Sequence, residues 1–537
     1  MYLPPRLASR LVPVALVCCC LCPVVVEASD RSSSYWVALE SITAGELKRH
    51  VDYLADDALE GREAGKRGGR AAGNYLLDRL AELQLRGAGA DGGFIQPFAP
   101  NFRNILALLP GSDPELKNQV ILIGAHYDHI GYGTRRNSRG PVGYVHNGAD
   151  DNASGTSGLL ELAEAFTMLA EPPKRSILFA FWDAEEKGLL GSRNWTAHPT
   201  VPLENVVLAI NLDMIGRLRE DRLTVFGTRS GYGLRKLVSR QNVGPALKLD
   251  FSWTLEPNSD HYPFLQRDVP ILLWHTGMHD AHHTPYDDAK LINPTGMSQA
   301  TRLLFQVAYD LADGPQTPRF RREAGSETEK TRAWRAAQKP QPAGRLGVGW
   351  RADDTSQQGV RLTRVVAGSP AEKAGLRPGD QIVRFAGREI HSGEDLSAAV
   401  MAAENPASLV LERPGYRAVA GYGIRTYPPP PGGPEPIELS VQLDGTPLRL
   451  GITWRVDDAE PGTIILTYVV PGSPAARAGL QAGDRIYQIA GRDFDDEGRF
   501  ARLAASLPEP LELLVERDGQ LRTVVLHFKT EPLRQAA

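Results

Sequence analysis

Apolar runs of strand length alternate with helical patterns from about residue 35 to residue 313. The apolar runs contain few polar positions, which is typical of strands that are buried on both faces of a sheet. The alternation predicts an α/β fold with a mostly parallel sheet and helices on both faces. The strand patterns are Val120–Ile123, Ile177–Trp182, Val206–Leu212 and Val269–Trp274, and the clearest helical patterns are Leu76–Leu83 and Gly158–Leu169.

Histidines and acidic residues cluster directly after these patterns, four times after a strand and once in the turn that follows Val145. In an open α/β sheet, ligands bind in the crevice beyond the carboxyl ends of the strands, so we expect the five stretches to converge. The stretches are Gly-Ala-His126-Tyr-Asp128, Gly-Ala-Asp150-Asp151-Asn-Ala-Ser-Gly, Trp-Asp-Ala-Glu185-Glu186, Asn-Leu-Asp213 and His282-His283-Thr-Pro-Tyr-Asp287.

The residue types in these stretches are those that hold zinc. Zinc accepts imidazole nitrogen and carboxylate oxygen, and two ions held roughly 3.5–4 Å apart need a carboxylate that bridges them. One histidine and one acid per ion, together with the bridge, make five ligands. The chain offers that number in His126, Asp150, Glu186, Asp213 and His283. The pattern indicates a metallohydrolase.

The order and local sequence of these residues resemble the bacterial leucyl aminopeptidase type of two-zinc exopeptidase. The superfamily also includes glutamate carboxypeptidases and glutaminyl cyclases. The resemblance extends from Asp56-Asp-Ala-Leu-Glu-Gly-Arg62 to Asp287. It departs from the family pattern at Asp288, where the family often has threonine. It implies the zinc exopeptidase fold for a two-zinc peptidase domain over residues 35–313.

The resemblance also implies a role for each site residue. Glu185 would be the general base that takes a proton from the metal-bridging water. Asp128 would accept a hydrogen bond from the far ring nitrogen of His126 and so fix its tautomer. The implied metal ligands are a bridging carboxylate and one pair for each ion: Asp150 as the bridge, His126 with Asp213, and Glu186 with His283.

Several of these residues have simpler interpretations. An aspartate at the end of a strand most often caps a helix or lies in a turn, and that is the alternative for Asp151. Paired glutamates usually form a solvated helix face, but Glu185 and Glu186 directly follow a buried strand, so that interpretation fits poorly. The Asp260-His261 pair resembles a family motif of unclear role and is kept as a candidate. Four further histidines match no ligand position and are interpreted as pocket walls or surface residues: His129, His146, His279 and His282.

Residues 314–343 are charged and poor in apolar residues, which predicts a linker. Beyond it the chain repeats itself. Val366-Ala-Gly-Ser-Pro-Ala-Glu-Lys-Ala-Gly-Leu-Arg-Pro-Gly-Asp380 recurs, 104 residues later, as Val470-Pro-Gly-Ser-Pro-Ala-Ala-Arg-Ala-Gly-Leu-Gln-Ala-Gly-Asp484. A repeat of this kind indicates two similar modules in tandem.

The two modules resemble PDZ domains and span residues 344–443 and 448–530. Their glycine-containing carboxylate loops are at Leu346–Gly349 and Leu450–Thr453. The first module departs from the pattern by an insertion at residues 414–436, before its last strand. The helices beside the two grooves are predicted at Glu394–Ala402 and Glu497–Leu507. The resemblance implies that the modules bind the C-termini of peptides or proteins.

The N-terminus has the pattern of an export signal. Arg6 and Arg10 precede an apolar stretch from Leu11 to Val26, and small residues follow at the positions that a signal peptidase reads. We therefore expect residues 1–28 to be a signal peptide, with an uncleaved anchor as the alternative. Cleavage would remove all four cysteines and would leave neither disulfides nor thiolate ligands. The mature chain is expected to contain no membrane span and to be periplasmic or extracellular.

The sequence thus predicts an exported exopeptidase that requires two Zn²⁺ ions and acts on peptides. An aminopeptidase is the first hypothesis. A carboxypeptidase or a glutaminyl cyclase of the same superfamily is the nearest alternative. A cyclase usually works with one zinc ion, which the five retained ligands disfavour. A non-catalytic peptide-binding scaffold is the alternative from another class of protein. The net charge of −4 gives no indication of nucleic-acid binding.

Overall fold

The structure is a computed structural model that describes residues 31–243, 247–337, 344–351, 359–413 and 435–528, with the backbone of 416–417 and 425–426. The predicted signal peptide, residues 1–28, lies outside these ranges, as does most of the predicted insertion at 414–436. Among the residues described, no helix is both long and apolar enough to cross a membrane.

The first region contains the sheet that the apolar runs predict. Its strands are β1 Arg86–Gly87, β2 Ile95–Phe98, β3 Phe102–Leu109, β4 Val120–His126, β5 Ser176–Trp182, β6 Val206–Leu212, β7 Arg222–Phe226, β8 Lys248–Ser252 and β9 Ile271–His275. Its helices are α1 Ser33–Ser41, α2 Ala44–Leu54, α3 Arg67–Glu82, α4 Gly155–Thr167, α5 Leu190–Ala197, α6 Leu234–Gln241, α7 Tyr262–Leu265 and α8 Pro294–Asp313.

The strand order is β1-β3-β5-β4-β6-β9-β7-β8, with β2 paired to β3. The central strands β5, β4, β6 and β9 are parallel, as predicted. On either side of them the sheet becomes mixed, because β3 runs antiparallel to β5 and β7 runs antiparallel to β9. The four parallel strands therefore place their carboxyl ends at one edge, where the site residues follow.

Helices cover both faces of the sheet, which confirms the predicted α/β architecture. In β5, Ile177, Phe179 and Phe181 belong to the core beneath α2, α4 and α8, while Leu178 and Trp182 belong to a second core with residues of α5 and α7. Successive side chains of a strand point to opposite faces, so an unbroken apolar run supplies both cores.

Part of the predicted linker is packed against the first region. It contains a 3₁₀ turn, Arg322–Ser326, and a helix, α9 Glu329–Ala337. Glu327, between them, is buried and accepts hydrogen bonds from Arg229 at 2.7 Å and from Arg321 at 2.8 Å. The charges that predicted a solvated linker are in part the partners of a buried ion-pair network.

In the residues that the structure describes, the two C-terminal modules are antiparallel β structures with two helices each. The first has β10 Val348–Trp350, β11 Val360–Val365, α10 Pro370–Lys373, β12 Gln381–Phe385, β13 Arg388–Glu389, α11 Gly393–Ala402, β14 Ala407–Glu412 and β17 Pro436–Val441, with a two-stranded ladder of β15 Tyr416–Arg417 and β16 Arg425–Thr426 inside the predicted insertion. The second has β18 Ile452–Arg455, β19 Ile464–Val469, α12 Pro474–Arg477, β20 Arg485–Ile489, α13 Glu497–Ser506, β21 Leu511–Arg517 and β22 Gln520–Leu526.

The second module is docked on the first region. Its loop after β18 accepts a backbone hydrogen bond from Gly233 at the Ala459 carbonyl, 3.0 Å. Its β21–β22 hairpin accepts another, from Leu249 to the Asp518 carbonyl at 2.7 Å. The buried Arg229 guanidinium lies 3.0 Å from the carboxylate of Asp457. The contact therefore combines main-chain hydrogen bonds with ion pairs that are shielded from solvent.

Candidate metal centre

Four of the five sequence stretches directly follow parallel strands and lie at the carboxyl edge of the sheet. His126 is the last residue of β4, Asp213 follows β6 directly, and Glu185 and Glu186 lie three and four residues beyond β5. Residues 276–288 continue from β9 and carry His283. The remaining stretch, Ala149–Ser154, follows a long loop and forms a tight helical turn before α4.

Two clusters of donor atoms lie at this edge. Within each cluster the donor atoms are within 4.8 Å of one another, and the carboxylate of Asp151 is common to both. One cluster is His126, Asp151 and Asp213, and the other is His129, Asp151, Glu186 and His283.

The two oxygens of Asp151 face different clusters. Oδ1 lies 3.4 Å from His126 Nε2, which is itself 3.5 Å from Asp213 Oδ1. Oδ2 lies 3.0 Å from His283 Nε2, which is 3.2 Å from Glu186 Oε2. A carboxylate in this position can hold one cation on each oxygen.

The structure brings Asp151, and not the predicted Asp150, into both donor clusters. Asp150 lies outside both clusters, because its Oδ1 accepts hydrogen bonds from the Gly216 amide at 2.6 Å and from the Ser154 hydroxyl at 3.1 Å. Asp287 Oδ2 accepts the backbone N–H groups of both aspartates, at 2.9 and 3.0 Å, and so fixes the turn. Asp151 is therefore not only a turn residue, which was its simpler interpretation.

Histidine 129 lies inside the site, although the sequence argument left it among wall and surface residues. It is fully buried, and its Nδ1 is 2.7 Å from Glu186 Oε1 and 3.8 Å from Asp151 Oδ2. Its position three residues after His126, in the loop beyond β4, is the only sequence signal that could have suggested this.

The other three histidines occupy different places. His282 Nε2 is 3.2 Å from Asp151 Oδ2, and its ring stacks on that of His283 with centroids 4.0 Å apart. His279 Nε2 is 3.1 Å from Asp150 Oδ2. His146 is hydrogen bonded to the Ser138 hydroxyl at 2.8 Å and belongs to neither cluster. Thus His282 and His279 line the site, as a pocket wall would.

Asp128 connects the His126 side of the site to the two glutamates. The Nδ1 atom of His126 is 3.2 Å from the backbone carbonyl of Asp128 and 3.8 Å from its carboxylate, so the carbonyl rather than the carboxylate is the nearer hydrogen-bond acceptor. The carboxylate accepts the backbone N–H of Glu185 at 3.0 Å. Asp128 therefore orients the imidazole and also fixes the backbone of the predicted base.

The adjacent glutamates have opposite electrostatic environments. Burial raises the pKa of the Glu185 carboxyl well above its ordinary value; the charge of His126 opposes the shift, and that of Glu186 adds to it. For Glu186, burial and the charge of Asp151 would also raise the pKa, but His129 and His283 outweigh them and hold it at about 2. Two neighbouring carboxyls with divergent pKa values suit one proton acceptor and one permanent anion.

Two consecutive side-chain hydrogen bonds orient Asp213. Ser259 donates to Asp213 Oδ2 at 2.5 Å, and Asn211 donates to the Ser259 hydroxyl at 2.8 Å, which leaves Oδ1 facing His126. The neighbouring Asp260 accepts a hydrogen bond from Ser192, and burial raises its pKa to about 7. Asp260 and His261 are both buried, and neither belongs to a donor cluster.

Arg62 supports the site from beneath and was not singled out by the sequence argument. It is fully buried and donates to four backbone carbonyls, at distances of 2.6–2.9 Å. Two of these, in Asn147 and Gly148, lead directly into the turn that carries Asp151. Spacing could not reveal this role, because all the acceptors are main-chain atoms, three of them far away in sequence.

The donor set fits zinc. All donor atoms are imidazole nitrogens or carboxylate oxygens, which are the ligands that zinc accepts in proteins without cysteine. Asp151, His126 and His129 are at most 4% exposed, and three carboxylates confined in such a site require compensating positive charge.

Two protein families match the sequence. Residues 104–308 match the family model of Peptidase family M28, and residues 361–413 and 465–517 match that of the PDZ domain. These ranges contain all the residues of the two donor clusters and the repeated segments of the two modules.

Similar proteins cover only part of the chain. Leupeptin-inactivating enzyme 1 of Streptomyces exfoliatus is 25% identical over 246 residues, 43% of this chain and 48% of that protein. Aminopeptidase YwaD of Bacillus subtilis is 27% identical over 209 residues, 37% of this chain and 43% of that protein. A probable periplasmic serine endoprotease, DegP-like, of Hahella chejuensis is 30% identical over 184 residues, 32% and 39% respectively. The chain thus spans less than half the length of these relatives.

Among solved structures, the LapA aminopeptidase of Legionella pneumophila has 21% identity and a TM-score of 0.44, covering 52% of this chain and 73% of that one.

Proposed function

We propose that the chain is a zinc aminopeptidase with two metal ions, because residues 104–308 match Peptidase family M28 and two later segments match the PDZ domain. Asp151 carries this proposal, because its two oxygens face separate donor sets on opposite sides of one carboxylate. The proposed substrates are peptides with a free N-terminal amine. The Bacillus subtilis relative is named an aminopeptidase, and enzymes of that kind act on such peptides.

The donor sets divide into ligands for two ions. His126 and Asp213 would hold one ion, Glu186 and His283 the other, and Asp151 would bridge them. We assign His129 to orienting Glu186, because its Nδ1 is closer to that carboxylate than to Asp151. When bound, the zinc ions supply Lewis acidity, which activates water and polarises the scissile carbonyl.

Glu185 is the proposed general base. Its carboxylate takes a proton from the attacking water and returns it to the amine that leaves when the peptide bond breaks. A carboxyl with a raised pKa holds a proton more readily than an ordinary carboxyl does, unlike Glu186, whose pKa of about 2 keeps it ionised. The hydrogen bond from the Glu185 amide to Asp128 keeps the base in place while Glu186 binds metal.

A metal analysis combined with a substrate comparison tests this function. We expect about two zinc ions per chain by inductively coupled plasma mass spectrometry. We also expect hydrolysis of leucine p-nitroanilide, which a chelator abolishes and zinc restores. N-acetyl-leucine p-nitroanilide is the matched control and should not react. Cleavage of a carboxyl-terminal residue from an N-acetylated peptide would favour a carboxypeptidase, cyclisation of an N-terminal glutamine would favour a cyclase, and absence of bound metal would favour a non-catalytic scaffold.

Export to the periplasm or the cell exterior is a second part of the proposal. It rests on the basic and apolar pattern of residues 1–28. The DegP-like relative is periplasmic by name. Expression in a bacterium, followed by fractionation and mass spectrometry of the N-terminal peptide, tests it. A chain that stays in the cytoplasm with residues 1–28 attached would contradict it.

The PDZ domains are proposed to bind peptide C-termini. A peptide would add as a strand beside β10 or β18, and its carboxylate would be held by the backbone N–H groups of Leu346–Gly349 or Leu450–Thr453. In the second domain the partly exposed Trp454 of β18 packs edge-on against the buried Phe500 of α13, with centroids 5.3 Å apart, so an apolar contact joins the strand and the helix beside the groove. This favours apolar residues near the end of the bound peptide.

A further inference from the structure

A cavity of about 510 Å³ lies between the peptidase domain and the second PDZ domain. Tyr232 and Arg319 form the peptidase side. The PDZ side is formed by residues 456–463, after β18, and by residues 494–497, which lead into α13. The walls are held together by the hydrogen bond from the Gly233 amide to the Ala459 carbonyl. The volume is within the range of roughly 300–1,000 Å³ that is usual for ligand sites.

The cavity continues the peptide groove of the second PDZ domain. That groove lies between β18, which is an edge strand, and α13. The carboxylate loop is at the beginning of β18, whereas the cavity is lined by the residues that follow the end of β18 and those that begin α13. Since β18 has four residues, a peptide held by its carboxylate would pair its last four residues with β18. The fifth and sixth residues from its end would then reach the cavity.

The rim of the cavity is acidic. Asp458, Asp495, Asp496 and Glu497 are all exposed, and Arg319 is the one basic residue in the lining that the structure describes. Two cations contact the lining from outside: Arg499 pairs with Asp495 at 3.0 Å, and Lys236 donates to the Gly462 carbonyl at 3.2 Å. Within the described part of the chain, neither Asp458 nor Glu497 takes part in an ion pair. These carboxylates are free to attract a cationic side chain, with a strength that salt will reduce.

An unsatisfied hydroxyl lies in the wall of the same cavity. Thr463 is 2% exposed, and its Oγ1 has no hydrogen-bond partner. A buried hydroxyl without a partner costs free energy that a bound ligand can recover. This observation is independent of the charges and offers a polar group of a ligand a second contact in the same cavity.

We propose that the cavity is a recognition site for basic residues that precede the C-terminus of a peptide bound in the second PDZ groove. Lysine or arginine at the fifth or sixth position from the end is the favoured chemistry. The inference rests on the proposed capture of peptide carboxylates by this domain. It adds that the peptidase domain, through Tyr232 and Arg319, forms part of the binding site, so that the two domains read one peptide together.

Calorimetry with the full-length chain and hexapeptides of the form acetyl-X-X-Ala-Ser-Leu-Val tests the proposal. The acetyl group prevents removal of residues by the proposed aminopeptidase activity. X is lysine, glutamine or glutamate, and each peptide is made with a free carboxylate and as an amide. We expect the lysine peptide to bind three- to tenfold more tightly than the glutamate peptide at low salt, with a smaller ratio at 0.5 M NaCl.

Variants separate the cavity from the groove. Asp458→Asn combined with Glu497→Gln should bring the lysine and glutamate peptides to within about twofold of each other without changing the affinity for the glutamine peptide. Glu512→Gln removes the same type of charge from an exposed position of β21, outside the cavity, and should preserve the preference. Thr463→Val tests the hydroxyl and should weaken all three peptides alike.

The outcomes distinguish the cavity site from the capture of the peptide carboxylate, on which it rests. Equal binding of lysine and glutamate peptides, with amidated peptides much weaker, would overturn the cavity site and leave carboxylate capture intact. Equal binding of the free and amidated forms, or no binding of any peptide, would overturn both. A lysine preference that survives the double variant would also overturn the cavity site.

Discussion

The Arg235 guanidinium of the first region and the Glu516 carboxylate of the second C-terminal module form an ion pair at 3.0 Å, and Glu516 is 0% exposed. Burial alone would raise the pKa of Glu516, but the charges of Arg235 and Arg485 outweigh it and hold the pKa at about 2. Removing one partner of such a pair leaves a charge buried without compensation, which typically costs about 3–5 kcal/mol.

The first prediction is an acid-sensitive contribution of Glu516 to stability. The carboxyl protonates near pH 4.5 when unperturbed and at about 2 in the fold, so its contribution is complete above pH 4.5 and is lost as the pH falls towards 2. The difference in unfolding free energy between the native protein and Glu516→Gln should shrink by about 1 kcal/mol between pH 6 and pH 3.5.

Urea unfolding in the presence of a chelator measures this difference without interference from metal loss. Glu512→Gln, an exposed change on the same strand β21, is the control and should show little dependence on pH over that range. A difference for Glu516→Gln that stays constant with pH would contradict the assignment.

The second prediction concerns a chain shortened after residue 313. The donor clusters end at His283, so we expect the fragment to bind zinc and to hydrolyse leucine p-nitroanilide. It loses the partners of Arg229 and Arg235 and exposes apolar surface around Leu249 to solvent. We expect its Tm to be roughly 5–10 °C lower, which corresponds to a few kcal/mol in a domain of this size. An unchanged Tm by calorimetry would show that docking contributes nothing, and loss of zinc would show that the modules complete the site.

The third prediction separates the two adjacent glutamates. Glu185→Gln should keep normal zinc content and lose turnover by at least about 10²–10⁴-fold, because a general base contributes that much. Glu186→Gln should instead lower the affinity for one ion, since it removes a charged ligand that His129 and His283 contact. Zinc titration and kcat for both variants decide it. Near-normal turnover by fully metallated Glu185→Gln would refute its role as the base.

The fourth prediction compares the two aspartates of the turn. Asp151→Asn should lose most of the bound zinc, because no neutral amide bridges two cations as a carboxylate does. Asp150→Asn retains an oxygen for the Gly216 amide and the Ser154 hydroxyl, and should keep zinc while losing about 1–2 kcal/mol of stability. The reverse result in a metal analysis of the two purified variants would restore Asp150 as the bridge.

The parallel core of the fold could be predicted from the sequence because continuous apolar runs have few alternative structures. Val206–Leu212 was predicted as a strand and coincides with β6, and the run Ile177–Trp182 falls within β5. The antiparallel strands at the sides could not be predicted in the same way. Strands such as β7 and β8 are short and half exposed, with burial that alternates along the strand, and their pairing depends on neighbours that are distant in sequence.

Four of the five predicted ligands lie in the donor clusters, and Asp151 lies there in place of the predicted Asp150. His126, Glu186, Asp213 and His283 could be identified because each follows or accompanies a recognisable strand end. Spacing could not choose between Asp150 and Asp151, because the turn Ala149–Ser154 has irregular backbone angles that decide which carboxylate faces the two donor clusters. That turn is set by Asp287 and Arg62, whose contacts are with the main chain.

The docking of the second PDZ domain means that the two copies of the repeat are not interchangeable. Glu412 stands 104 residues before Glu516, in the equivalent strand, yet it is half exposed, and Gln381 occupies the position equivalent to Arg485. A chimaeric chain with two copies of the first module would keep the carboxylate and lose the arginine that helps to hold it ionised. The second module therefore presents a surface that packs on the first region, and substitutions there should be tolerated far less than at the matching positions of the first module.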